Sequence, residues 1–350
     1  MHRRALLASV ALGAAGCLAP AGDSAASATR SAPPADTAES STTDPELGVP
    51  AGEAGGPPPD DTVARVVWWG SERPTDPVRL VAEPRSGGLP AATFRFSLVN
   101  DSDRRFAYNP YDWGLWKRVD GSWFYVAPRI VPQPLSFLPP GGTETWTLVV
   151  GGDDESAAGE GAGDAITTDR LGGGTYAFET DGSFEGQRYT ESTRLAVRFV
   201  LSGDPLTPTL DSSVTETTRD GSTVTVRTDV PSGEDTRPCV FVVERVDEPT
   251  AERRIAEQIV RDPLLRKTLP AFEAGVDRVR LVEPNGAVPP FGVSEPRTFR
   301  YAGESYRVTA HEAEPGTATE SGTATESGTE TESGTVTESG TVTESGTAGG

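Results

Sequence analysis

Between residues 63 and 205, apolar side chains recur at every second position in short runs. Phe94, Phe96 and Leu98 alternate with Arg95 and Ser97, and Trp146, Leu148 and Val150 alternate with Thr147 and Val149. Tyr176 and Phe178 flank Ala177, while Leu195, Val197, Phe199 and Leu201 keep the same period. In an extended chain successive side chains point to opposite faces, so each run reads as a strand with one buried face. Gly, Pro and Asp separate the runs. Many short strands in a row predict a mainly β protein with a β-sandwich over 63–205.

The pattern changes near residue 211. Val214–Thr218 and Ser222–Thr228 flank Asp220-Gly221, a hairpin signal, and Val240–Val243 reads as another strand. Thr250 is the expected N-cap of a helix whose face carries Ala251, Ile255 and Ile259. Asp262-Pro263 restarts a turn or second helix that Pro270 ends. Val276–Val282, Arg297–Tyr301 and Tyr306–Ala310 read as strand, helix and strand, so 211–312 is expected to be a small α+β domain.

Neither end of the chain shows such periodicity. Residues 17–62 are rich in Ala, Ser, Thr, Pro and Gly with almost no large apolar side chain, which predicts a disordered, solvated stalk. Thr317–Gly346 repeat a six-residue unit such as Thr-Ala-Thr-Glu-Ser-Gly. That unit is too short for a helical solenoid and lacks the apolar residues a β-helix stacks, so 313–350 is expected to be a disordered tail. Glycosylation of its Thr and Ser residues and a bare repeat expansion are equally open.

Residues 1–16 have a different character. Met1–Arg4 are positive and Ala5–Ala15 apolar, and this run is too short for about 30 Å of hydrocarbon, which predicts a signal peptide. Arg3-Arg4 followed by Ala5-Leu6-Leu7 resembles a twin-arginine export signal, which carries folded cargo. Ala14-Ala15-Gly16-Cys17 resembles a lipobox, with Ala14 where Leu or Val usually stands. The resemblance implies lipid on Cys17 and a protein anchored to the outer face of the cytoplasmic membrane.

Charge adds a setting. The formal net charge is −21. Loss of residues 1–16 would remove Arg3 and Arg4, leaving 29 basic against 52 acidic residues. Only Lys117 and Lys267 are lysines. An acidic chain so poor in lysine resembles haloarchaeal proteins, and the amino terminus extends this to a haloarchaeal-type secreted lipoprotein. Molar salt shortens the Debye length to about 3 Å and relieves the self-repulsion of such a surface. A field of this sign also argues against a nucleic-acid partner.

Four segments of the first domain resemble the bacterial immunoglobulin-like domains of surface lipoproteins. They are Thr93–Asn100, the Asp120-Gly121-Ser122-Trp123 crossing, Leu138-Pro139-Pro140-Gly141-Gly142 and Gly173-Gly174-Thr175-Tyr176. The same order is similar to a small proteinase-inhibitor family with a like fold. The resemblance covers about 78–201 and implies an immunoglobulin-like sandwich, interrupted by an acidic Gly-rich insertion at 151–169. Its motifs are signatures of turns and core, and fold alone assigns no function.

Candidate chemistry is sparse. Cleavage before Cys17 leaves one histidine, His311, and no Gly-x-Ser-x-Gly elbow exists to supply it with a serine. Cys239 lies in the apolar run Pro-Cys-Val-Phe-Val-Val and reads as a core residue. No metal site or cofactor is expected, because zinc needs three or four Cys, His or carboxylate ligands. Gly159–Asp164 has the glycines of a nucleotide loop but no lysine, and Asp153-Asp154-Glu155 lacks EF-hand spacing.

Tyr111, Trp113 and Trp116 stand in the densest aromatic cluster and are candidates either for a stacking platform or for the sandwich core. Asn100-Asp101-Ser102 is a candidate N-glycosylation acceptor. Residues 244–280 balance eight basic against eight acidic side chains, which reads as ion pairing within the second domain or a partner-docking face. The leading expectation is a non-enzymatic cell-surface lipoprotein that binds or spaces something at the envelope, with a protein or glycan as partner. The alternatives are a proteinase-inhibitor-like or carbohydrate-binding module and a carboxylate-dependent hydrolase.

Overall fold

Alternating β-branched and aromatic residues form strands because a pleated surface accepts them and one face can be buried. In the computed structural model, nearly all regular structure is of this kind. The structure describes residues 49–50, 56–58, 63–68, 76–128, 132–151, 166–168, 170–188 and 191–313. Arg3, Arg4, Cys17 and the repeat tail lie outside them, as do Asp153-Asp154-Glu155 and Gly159–Asp164.

The first half builds two facing sheets. One contains β1 (Val49–Pro50), β2 (Val63–Trp68), β4 (Ser86–Gly88), β6 (Phe106–Val119), β7 (Ser122–Ala127), β8 (Ser136–Leu138), β11 (Gly174–Phe184) and β12 (Ser192–Ser202). Its main path runs β1-β2-β12-β11-β6-β7, with β4 on β12 and β8 on β6. The other sheet contains β3 (Val78–Glu83), β5 (Ala92–Asn100), β9 (Thr143–Val150) and β10 (Ile166–Thr168), in the order β10-β9-β5-β3. The alternating residues named above all fall in the single core between these sheets. Aromatic rings carry the contact: Phe96 stacks on Phe178 at 4.1 Å and 3°, and Phe94 meets Phe199 at 4.5 Å. Each such pair contributes about 0.5–1.5 kcal/mol beyond its buried area.

The turn motifs explain themselves in this frame. Asp120 and Gly121, at φ +48° and +84°, close the two-residue hairpin between β6 and β7, where Asp-Gly is favoured. A Cβ on Gly173 would stand 2.0 Å from the carbonyl oxygen of Gly203, so this glycine serves close passage of the chain at 203–206.

The second half is a seven-stranded sheet. Its strands are β13 (Val214–Asp220), β14 (Thr223–Thr228), β15 (Arg237–Val246), β16 (Glu252–Arg253), β17 (Arg278–Asn285), β18 (Arg297–Tyr301) and β19 (Glu304–Glu312). Their order is β13-β14-β17-β15-β19-β18-β16. Two short helices, α1 (Ala256–Arg261) and α2 (Leu265–Thr268), pack on one face through Ile259 and Leu265, with Leu269 of the 3-10 turn that follows, against Val226, Phe241 and Leu281.

Several expectations need correction. The stalk does not extend intact to residue 62: Val49–Pro50 pair with β2, Pro57 is buried, and the Pro58 carbonyl accepts from Arg194 at 3.1 Å. Part of the insertion at 151–169 is β10, parallel to β9. Thr250 caps no helix, because Glu252–Arg253 first pair with β18 and α1 starts only at Ala256. Edge pairing there outcompetes a helical turn. Arg297–Tyr301 is a strand rather than a helix, paired with β19 across a two-residue turn. Asp262 starts α2 as read: its Oδ1 accepts from the amides of Leu264 and Leu265 at 3.0 and 3.2 Å.

Candidate functional site

Helix α1 is six residues long, too short to stand alone, and it survives by packing on both sides. Ile255, just before it, is buried in the sandwich core, while Ile259 is buried in the core of the seven-stranded sheet. The helix is therefore the seam between the two halves of one packed unit.

Glu257 lies between those isoleucines and turns towards the sandwich. Its Oε1 accepts from Lys117 Nζ on β6, from the Gly172 amide at 3.1 Å and from the Tyr176 hydroxyl at 3.2 Å. Glu257 is 1% exposed and Lys117 6%. Two charges removed from water this far must be held by each other and by neighbouring dipoles. Burial, reinforced by the Glu257 charge, pushes the Tyr176 phenol far above its ordinary titration range, so it remains a donor. Three further contacts cross the seam. Gln258 Nε2 donates to the Tyr125 carbonyl at 3.0 Å, Arg170 Nη1 to the Val260 carbonyl at 3.1 Å, and Arg253 Nη2 to Asp120 Oδ2 at 2.6 Å.

Beside this seam opens a cleft of about 500 Å³. Val119, Leu206 and Ile255 give it an apolar lining, and Lys117, Arg253, Arg254 and Arg300 give it charge. Among the described residues Glu257 is the single carboxylate in its lining, beside four cations, and it pairs with Lys117. Arg254 lies 4.9 Å over the Phe299 ring and 3.8 Å from Asp262. Arg300 Nη1 donates to the Pro249 carbonyl at 2.8 Å, and its own carbonyl accepts from the Arg254 amide. Burial and then the Glu257 charge raise the Tyr301 phenol, which also lines the cleft and so stays protonated at neutral pH. The rim is the tight turn Ala302-Gly303, at φ +51° and +90°.

The residues singled out in the sequence lie elsewhere. Trp113 belongs to the sandwich core, stacked on Phe178 at 5.9 Å and 11°. Trp116, three residues on, falls on the opposite face of β6, half-buried and edge-on to Tyr125 at 5.1 Å. Tyr111 is half-buried, and its amide is held by Asn109 Oδ1 at 3.0 Å. Trp113 and Trp116 face opposite sides of the strand, so the three aromatics form no single platform, and none lines the cleft.

Asn100, the candidate glycosylation acceptor, lies at the end of β5 and is fully buried. Its Nδ2 donates to the carbonyls of Arg104, Leu138 and Pro139 at 2.8–3.1 Å, tying the end of β5 to the Leu-Pro-Pro-Gly-Gly turn. Its amide nitrogen is not available in the folded state. Cys239 is likewise buried, in the second half, and His311 is exposed within β19, paired with Val240 rather than Cys239. Among the described residues, no three His, Cys, Asp or Glu side chains gather to hold a metal ion.

The charge-balanced segment 244–280 pairs partly within the second half and partly across the seam. Some of its ion pairs stay inside the second half, as with Arg278–Glu244 and Lys267–Glu283. Others cross to the sandwich, through Glu257 and Arg253, and the Arg253-Arg254 doublet lines the cleft. Arg300 and Tyr301 carried no signal in the sequence. No protein-family model and no curated protein matches the chain.

Proposed function

We propose that the chain is a non-enzymatic binding protein displayed at the cell envelope, exported behind residues 1–16 and tethered by lipid on Cys17. Its immunoglobulin-like sandwich and small α+β domain together form the binding unit, and the haloarchaeal-type acidic surface suits a saline medium. The observation that carries the reading is the open cleft at the seam: it is preformed, lined by cations, and its one carboxylate already faces a lysine. A two-carboxylate hydrolysis needs a second acid within reach. His311 lies seven positions along β19 from Glu304, which follows the rim residue Gly303, roughly 23 Å away in an extended strand. The saline setting is supported by the lysines, since Lys117 and Lys267 are both buried in ion pairs and leave the described surface with arginine as its cation.

Mass spectrometry of the amino-terminal peptide from native membranes tests the tether. Lipid on Cys17, with release of the protein on Cys17→Ser, is the expected result. An unmodified Cys17, or membrane retention without it, refutes it. Hydrolytic turnover that disappears on changing a single carboxylate would refute the non-enzymatic part. The alternative of a glycan or proteinase module acting through Trp113 is disfavoured by that residue's place in the core.

A further inference from the structure

We propose that the seam cleft binds a small organic polyanion bearing two or more carboxylates. The inference deepens the reading above as a binding protein. Three features select this chemistry. Among the described residues this cleft is lined by four cations and one acid, with Asp120 and Asp262 reaching Arg253 and Arg254 from outside the lining. Lys117, Arg253 and Arg254 each have an acid partner, while Arg300 has a backbone carbonyl, so the lining keeps an excess of positive charge.

The guanidinium groups come next. Arg300 has a backbone carbonyl as its hydrogen-bond partner, and Arg254 has an acid only at 3.8 Å. Guanidinium presents planar, forked donors that match carboxylate geometry in a bidentate manner, which a chloride ion cannot reciprocate. Arg254 and Arg300, whose backbones are joined by one hydrogen bond, together favour a ligand with more than one carboxylate. Tyr301 also lines the cleft.

The third feature is the apolar lining of Val119, Leu206 and Ile255, which rewards a carbon skeleton over inorganic phosphate. A volume of about 500 Å³ lies within the range of small-molecule sites and excludes a folded domain. Molar salt would screen the acidic surface that repels such a ligand, while contacts inside the cleft, at or below the ~3 Å Debye length, persist.

Isothermal titration calorimetry on the full chain tests this, with citrate as a free polycarboxylate and digalacturonate as an acidic sugar. Inorganic phosphate and glycerol serve as controls. Saturable binding of citrate or digalacturonate, and of neither control, is expected; which of the two binds tighter distinguishes a free acid from a glycan end. Arg300→Ala removes a charge-assisted contact without orphaning an acid and should weaken binding about tenfold or more, with Arg300→Lys intermediate. Pro205→Trp plugs the cleft from an exposed loop, touches no ion pair, and should abolish binding even if Arg300→Ala misfolds. Binding of phosphate equal to citrate, binding unchanged in Pro205→Trp, or no heat from either carboxylate would overturn the proposal. A Cys17 found without lipid would remove the tether and leave this result standing, so the two readings fail separately.

Discussion

Replacing Glu257 with leucine should separate the two halves of the molecule. The change leaves the buried Lys117 ammonium without its acid, with the Tyr176 ring 5.4 Å away, and strips the Gly172 amide of its acceptor. Breaking one side of a buried ion pair costs about 3–5 kcal/mol, a large share of the 5–15 kcal/mol that typically holds a domain. Lys117→Met should cost less, because the Glu257 carboxylate keeps the Gly172 and Tyr176 donors. The double replacement should cost less than Glu257→Leu alone, roughly the 1–3 kcal/mol of one unsatisfied buried amide. Urea unfolding at fixed salt and pH 7 measures all four proteins. Tryptophan fluorescence reports the sandwich alone, because all six tryptophans fall between positions 68 and 146, and far-UV circular dichroism reports both halves. The two transitions should coincide in the parent protein and separate in Glu257→Leu. If the double replacement loses the sum of the two single losses, the side chains do not communicate and the account of the seam is wrong.

Asn100→Ala should destabilise by about 2–3 kcal/mol, since three carbonyls lose a buried donor; a midpoint shift in the same urea assay worth less than ~0.5 kcal/mol would refute its anchoring role. Arg194 bridges Asp181 at 2.9 Å and Glu179 at 3.5 Å, largely buried, so Arg194→Leu should cost about 3–5 kcal/mol by stranding two carboxylates, and a wild-type melting temperature would contradict this. Amine- and thiol-reactive labels should find no reactive lysine and no reactive Cys239 in the native protein, and two lysines and that thiol after denaturation; rapid native labelling of Lys117 or Lys267 would place one of them on the surface. Burial alone would raise the Asp211 carboxyl, but hydrogen bonds from Ser213 and the charges of Arg170 and Lys267 outweigh it and hold it below its ordinary value. A folded-state value lower than the unfolded one contributes stability at neutral pH that is lost as pH falls through the folded value. Asp211→Asn should therefore be less stable than the parent at pH 7, with the difference shrinking below about pH 4; a difference independent of pH would refute it.

The sequence by itself determined the strands of the sandwich and the faces they bury. Phe94, Phe96, Leu98, Trp146 and Phe199 have one face each because side-chain direction in an extended chain is set locally. It also determined the Asp120-Gly121 turn, whose backbone angles few other residue pairs tolerate. Local signals failed where pairing partners decide. Arg297–Tyr301 and Glu252–Arg253 became strands because sheet edges were available to them, and no run of five residues encodes which edge it will meet. Asn100 reads as a candidate acceptor in sequence, and only the return of the chain at Leu138–Pro139, thirty-eight residues later, buries it. The cleft is the clearest case. Lys117 and Glu257 are 140 positions apart, and Arg253, Arg254 and Arg300 come from different strands and turns. A composition can show that charges balance, but which cation faces which acid, and which is left to face an open cleft, depends on burial and distance that only the packed halves create.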